Sequence, residues 1–485
     1  MKSIDRRTLL PLLGVTAVFF ISRYLYDLAG IRYDGNTYLG YWQFIDPFLL
    51  RTDLWRSVYY LHSQPPLLNL FTGLVLQAFP ANHTEVFHIL FFVSGLILTI
   101  SIYLLGRAMR FPAWLAMLSS AWFAINPGTV LYEHWLSYTL PVTAALALAG
   151  IVLHQFILTG KRRLGLLSFS LLAAIALTWS LFHILWLAAI VIISLIILPD
   201  RKKVLLAALV PVLLVTGWYA KNLLLVGEFT ASSWAGMNLS RITTFRLSTK
   251  ERRELVKTGE LSKFALLLPF RNATAYLELL PDTPVTGIPI LDKPGTSLGR
   301  RNQHHLVYVQ ASNYYLRDAL RVIRLYPERY VRSIGQSLYI YIHSPSDFDL
   351  ITPNRLKIQE LDLWWNRLFF GQWQTNESSG ARLSLFSAQN VGWWIAIALL
   401  TSIFGSGFFL WKRRNQLSTP ENGLMLFMLV NILYVTLIGN VMEIGENNRF
   451  RFVIDPLILI LFVFFIKNLM ASLLVPNAKT AIEVQ

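Results

Sequence analysis

The chain contains no cysteine, which excludes a disulfide framework, a thiolate nucleophile and any Cys-based metal site. Charge is also scarce. Only 14% of the 485 residues are Asp, Glu, Lys or Arg, against about 25% in an ordinary soluble domain. No HExxH or comparable ligand spacing is present, and there is neither an internal repeat nor a low-complexity stretch. Acids are missing from deep within the apolar runs, and no inverted halves can be found, so transport has little support. What fills the chain instead is apolar sequence, 54% of the residues, in repeated runs. That pattern predicts an all-α polytopic membrane protein. The net charge of +16 does not point to nucleic acid, because much of it sits in short Lys/Arg clusters between the runs.

Those clusters orient the chain. Apolar runs cover residues 9–28, 86–105, 112–124, 140–157, 164–179, 184–198, 204–226, 391–410, 424–441 and 452–474, about ten spans. A further apolar piece, 66–79, decides the topology. If it stays on one side, Arg107/Arg110, residues 161–163, 201–203 and 412–414 all fall on the cytoplasmic face, as the positive-inside rule requires. It is therefore read as an interfacial helix. The opposite face receives 31–65, 126–139, 179–183, 227–389 and 440–451, followed by a cytoplasmic tail at 475–485. The chain divides into an N-terminal membrane module (1–226), a mainly helical extracytoplasmic domain (227–389) and C-terminal membrane helices (390–474). Residues 308–342 carry apolar side chains at helical spacing, broken at Pro327, with Arg317, Arg321 and Arg324 on the polar face. They predict a helix on the membrane surface, or arginines that meet an anionic lipid head.

Unusual polar residues gather on the non-cytoplasmic side. Asp34 follows the first run; a carboxylate at a membrane surface can serve as a base, or simply cap the next helix. His62 heads a His-Ser-Gln-Pro-Pro-Leu stretch, where it either contacts substrate or sits as a polar interface residue. Glu133-His134 could orient an acceptor, but adjacent helical side chains point apart, which disfavours a metal. Asp347-Phe348-Asp349 is a DxD triplet that a turn would explain equally well. Lys221, Arg449 and Arg451 are cations beside spans on the side where cations are depleted. A lipid phosphate would account for them; pairing with Glu443 or Glu446 would do so too.

Taken together these segments resemble the GT-C glycosyltransferases, in the branch of protein O-mannosyltransferases and the lipid A aminoarabinose transferase. Asp34-Gly35-Asn36-Thr37-Tyr38 is similar to the family's Asp-Glu-x-x-Tyr segment, although Asn36 departs from it, and His62 to Leu67 resembles its His-x-Pro-Pro-Leu segment. Residues 218–229, 325–330 and 446–456 resemble three later family segments, in the same order. The resemblance implies transfer of a sugar from a polyprenyl-phosphate donor to a lipid, glycan or protein acceptor, with inversion. It implies a multi-pass protein of the bacterial inner membrane, with its site on the periplasmic or outer face. Asp34 would be the base, with Glu133 near the acceptor. Lys221, Arg449 and Arg451 would hold the donor phosphate, and Tyr38, His62, His134 and Glu446 would contact substrate. No cofactor is implied, though a divalent cation is left open. The competing class is a transporter or flippase of lipid-linked sugars.

Overall fold

The computed structural model describes residues 6–373 and 391–474; the tail at 475–485 and the end of the 227–389 loop lie outside them. Architecture is all-helical. Among the described residues the only extended pairings are two isolated bridges, Asp34 with Trp135 and Gly295 with Arg301. Among the described residues five helices are long and apolar enough to cross a membrane: His83–Ala108, Thr139–Thr159, Arg201–Val226, Trp393–Lys412 and Pro420–Val441. Arg6–Leu28 and Asp455–Leu474 add helices of 23 and 20 residues. Three other expected spans form shorter helices: Ala113–Ile125, Arg162–Ala176 and Ile184–Ile197, of 13, 15 and 14 residues. Local chemistry stops them early. Asn126 leaves the helix and caps the next one through Gly128 N at 2.9 Å, with Pro127 at its first position. Arg201–Val226 is bounded in the same way, by Asp200 accepting from Lys203 N at 3.1 Å and by Gly227 at φ 78°.

Residues 66–79 form the helix Leu67–Ala78. Its 12 residues rise about 18 Å, well short of a bilayer core. Leu67 N donates to Leu177 O at 2.9 Å, and just beyond its other end His83 Nε2 meets Tyr38 OH at 3.3 Å. Both flanks of this helix therefore touch loops at the same end of the bundle.

The 308–342 segment departs from expectation. It forms Val307–Leu325 and Pro327–Tyr341, parted at Pro327, but the first helix turns its apolar face into protein. Val307, Tyr308, Ala311 and Tyr315 are buried within the loop domain, against Trp234, Phe264 and Tyr276. Burying each ring is worth roughly 2 kcal/mol, and that gain fixes the apolar face inward. Two of its three arginines turn to protein: Arg321 Nε donates to Glu260 at 2.6 Å and Arg317 lies over Tyr314, while Arg324 is exposed.

Candidate active site

A cavity of about 1080 Å³ opens at one end of the bundle. Trp42, Gln43 and Gln64 line it from the first loop, Tyr138 from the second and Trp179 and His183 from the third. The long loop supplies Arg241, Arg246, Arg300 and Arg301, and the last loop Glu443, Glu446 and Arg449. All five segments that the charge pattern set on one face thus meet in one cavity. Hydrogen bonds hold them there: Tyr434 OH donates to Leu181 O at 2.8 Å, fastening the third loop to the helix Pro420–Val441.

The last loop is built as a rigid turn. Gly445 takes φ 126°, a conformation open to glycine. Asn447 is fully buried and donates to Gly439 O at 2.8 Å and Glu443 O at 3.1 Å. Asn448, also buried, donates to Ser344 O at 2.9 Å and Asp347 O at 2.7 Å. The two asparagines leave Glu446 and Arg449 facing the cavity.

Arg449 is 1% exposed, yet it lines that cavity. Its guanidinium pairs with Glu446, donates to Thr139 Oγ1 at 3.2 Å, and sits 5.1–5.4 Å from the rings of Tyr138, Trp179, Phe348 and Phe450. Stacked rings hold a cation in place without neutralising it. Its Nε–H has no hydrogen-bond partner among the described residues. A buried donor left unmade costs about 1–3 kcal/mol, so an acceptor that reaches it, from water or from a ligand, is favoured. Beside it, Glu443 accepts from Arg241 at 2.6 Å. Burial, countered by Arg241 and reinforced by Glu446, pushes the Glu443 carboxyl up to about 7.

Other nominated residues occupy different surroundings. Arg451 is fully buried and committed to structure, donating to Asp455 Oδ1 at 2.9 Å, His343 O at 2.7 Å and Tyr341 O. Lys221 Nζ donates to Leu61 O at 2.6 Å and lies over Trp218, outside the cavity lining. His62 is a clip: its Nε2 meets His304 O at 2.9 Å and its Nδ1 meets Ser233 Oγ at 2.8 Å. A ring nitrogen facing a carbonyl must donate, so His62 is the neutral Nε2–H tautomer that accepts from Ser233. Burial, with His304 nearby, lowers it to about 3. Tyr38 is buried between His83 and Arg51, 3.3 Å from each.

Glu133 and His134 sit next to Asp34 through backbone alone. Asp34 N donates to His134 O at 2.8 Å and Leu136 N to Asp34 O at 3.1 Å. The Glu133 side chain is buried against Arg23, while His134 Nδ1 lies 2.8 Å from Val130 O and burial lowers that ring to about 4. The Asp34 carboxylate is exposed and caps no helix; it accepts from Asn36 N at 3.0 Å in a local turn. It does not line the Arg449 cavity. Trp135 and Phe348 connect the two: Asp34 bridges to Trp135, the rings of Trp135 and Phe348 are 5.4 Å apart, and Phe348 faces Arg449. The DxD triplet is structural at Asp347, which is buried and bonded to Arg355 at 2.9 Å. Among the described residues no group of three His, Cys, Asp or Glu side chains could hold a metal ion.

Reading the sequence missed Arg241, Arg246 and Tyr138, and treated Glu443 only as a salt-bridge partner. Glu443 carried a signal, an acid beside a predicted span on the cavity side. Nothing marked the arginines of the long loop.

No family model matches the chain, and no curated protein matches it. Among solved structures it is similar to the Archaeoglobus fulgidus oligosaccharyltransferase tethered to an acceptor peptide, with 14% identity over 96% of this chain and 51% of that one, at a TM-score of 0.40. The same archaeal enzyme in complex with an inhibitory peptide and a dolichol-phosphate matches at 12% identity over 95% and 51%, with a TM-score of 0.36. Its complex with Zn and sulfate matches at 12% identity over 95% and 50%, also at 0.36. The chain spans about half the length of these structures.

Proposed function

We propose that the chain is a membrane glycosyltransferase, moving a sugar from a polyprenyl-phosphate donor to a lipid, glycan or protein acceptor. One observation carries the reading: a buried arginine with an unpartnered N–H forms the wall of a large cavity at one end of a bundle of membrane-length helices. A lipid phosphate fits that position, since its tail would lie among the helices and its oxygens would complete Arg449. The acceptor oxygen attacks the anomeric carbon, the bond to the phosphate oxygen breaks, and polyprenyl phosphate leaves with the electron pair. Arg449 stabilises the charge that develops on it. The acceptor proton passes to a carboxylate, and the attack inverts the anomeric centre.

The resemblance assigns that carboxylate to Asp34, whose backbone is pinned and whose side chain is exposed. A second assignment has its own support: Glu443 lines the Arg449 cavity and its carboxyl is held near neutrality, where a base works best. In this reading the cavity opens on the periplasmic or outer face of a bacterial inner membrane, and residues 230–303 of the long loop contribute to its wall. The test is transfer of a radiolabelled sugar from polyprenyl phosphate by purified protein in nanodiscs. Loss with Asp34→Asn alone fixes the first base; loss with Glu443→Gln alone fixes the second. Movement of the lipid-linked sugar between leaflets with no new glycosidic bond would make the protein a flippase and overturn the proposal.

A further inference from the structure

The cavity carries more positive charge than one lipid phosphate requires. Five arginines line it, Arg241, Arg246, Arg300, Arg301 and Arg449, against two carboxylates, Glu443 and Glu446. Both carboxylates are taken, by Arg241 and Arg449. Among the described residues Arg246, Arg300 and Arg301 form no ion pair, and all three belong to the long loop. Arg246 is half-buried; among the described residues its side chain's only hydrogen bond is to the neutral Gln336 Oε1 at 2.8 Å, and its Nε–H is buried without a partner. Burial, with Arg241 close by, holds its guanidinium below the usual range. Like charges lining one cavity repel one another unless an anion joins them. The rim is also strained. Phe270 lines it at φ 60°, unusual for a bulky residue, and its carbonyl accepts from Arg301 at 3.3 Å and Gln303 at 3.2 Å.

We infer that the rim formed by Arg246, Arg300 and Arg301 is a second anion site, distinct from the Arg449 phosphate site, and that it binds a carboxylate or phosphate carried by the acceptor. The inference rests on the reading of the Arg449 site as the donor site. It narrows the acceptor to an acidic one: a neutral acceptor would leave the three arginines uncompensated beside the reacting sugar. Arg300 and Arg301 are exposed, and Arg301 spends one N–H on Phe270 O, which leaves its other donors for a bound anion.

The experiment is equilibrium dialysis of radiolabelled inorganic phosphate against the full chain in phosphatidylcholine nanodiscs. It is run at constant ionic strength, with and without saturating farnesyl phosphate as a short donor-lipid probe. The expected result is that phosphate stays bound when farnesyl phosphate fills the Arg449 site. The double variant Arg300→Gln, Arg301→Gln should weaken that retained phosphate about tenfold, the loss of one charge-assisted contact, without affecting farnesyl phosphate. If farnesyl phosphate expels all the phosphate, or if the double variant binds it unchanged, the second site does not exist. If phosphatidylglycerol in the nanodiscs abolishes the binding, the arginines hold lipid headgroups and the acceptor assignment is overturned. Failure of farnesyl phosphate to bind at all, with phosphate still held by Arg300 and Arg301, would instead refute the donor reading and leave the anion site standing.

Discussion

Arg23 and Glu133 meet as a doubly hydrogen-bonded pair, Nε to Oε1 at 2.9 Å and Nη2 to Oε2 at 2.6 Å, with Glu133 wholly shielded from solvent. The pair ties the first helix to the loop that positions Asp34. It leaves no room: a Cβ on Gly95 would stand 1.9 Å from Glu133 Oε2. Breaking a buried pair strands one charge, which costs about 3–5 kcal/mol. Glu133→Gln should therefore lower thermal stability in detergent by that amount, and Glu133→Leu with Arg23→Met should recover most of it. Lost transfer at unchanged stability in Glu133→Gln would return Glu133 to the catalytic set.

Arg449 and Arg451 should separate cleanly. Arg449→Gln made together with Glu446→Gln removes the proposed phosphate contact without stranding a carboxylate, and should slow transfer about a hundredfold, the effect of losing a single stabilising donor, with little change in melting temperature. Arg451→Gln should do the reverse, since its bonds to Asp455, Tyr341 and His343 hold the turn together. Melting curves alongside transfer rates check both; equal loss of activity at equal stability would show that the two arginines share one task.

Glu443 should imprint a pH dependence. Its carboxyl titrates near 7 in the folded chain against an ordinary 4.5, so the native state holds the proton more tightly. That preference stabilises the fold fully below pH 4.5 and is lost as pH rises through about 7, a contribution on the order of 3 kcal/mol. Glu443→Gln should flatten this portion of the stability profile measured by thermal melting. A variant profile that overlays the wild type would exclude the perturbed carboxyl.

Gly236→Ala should collapse the packing between Ala235–Ile242 and Val307–Leu325. An added Cβ would stand 1.9 Å from the backbone oxygen of Ser312, which cannot retreat as a side-chain tip could. Overpacking of this kind costs at least about 1–3 kcal/mol. Limited proteolysis should cut the long loop while the membrane helices remain intact; an uncut loop would show that the helices can slide apart at little cost.

Apolar runs and short basic clusters were enough to anticipate an all-helical chain whose polar loops meet, because burial and orientation in a bilayer are written into composition. Arg449 was legible as a cation out of place. Its neighbour Arg451, two residues on, looked the same in sequence, yet its partner Asp455 lies one helical turn further along, inside the final helix. Glu133 misled for a similar reason. Its partner lies 110 residues earlier within an apolar run, a separation that no spacing rule spans. The surface helix was anticipated from amphipathicity, which reports an apolar face but not whether lipid or protein covers it. Asp34 and Arg449 belong to segments that do converge, yet only coordinates show them linked through Trp135, which bridges to Asp34, and Phe348, which faces Arg449.

Because the cavity draws its wall from every loop on that face, it exists only after the last of them has been made. Until the stretch from Glu443 to Arg449 leaves the ribosome and the final helix inserts, the earlier loops enclose a void without its Arg449 wall. A growing chain therefore lacks the proposed donor-phosphate contact throughout synthesis, and gains it in a single late event.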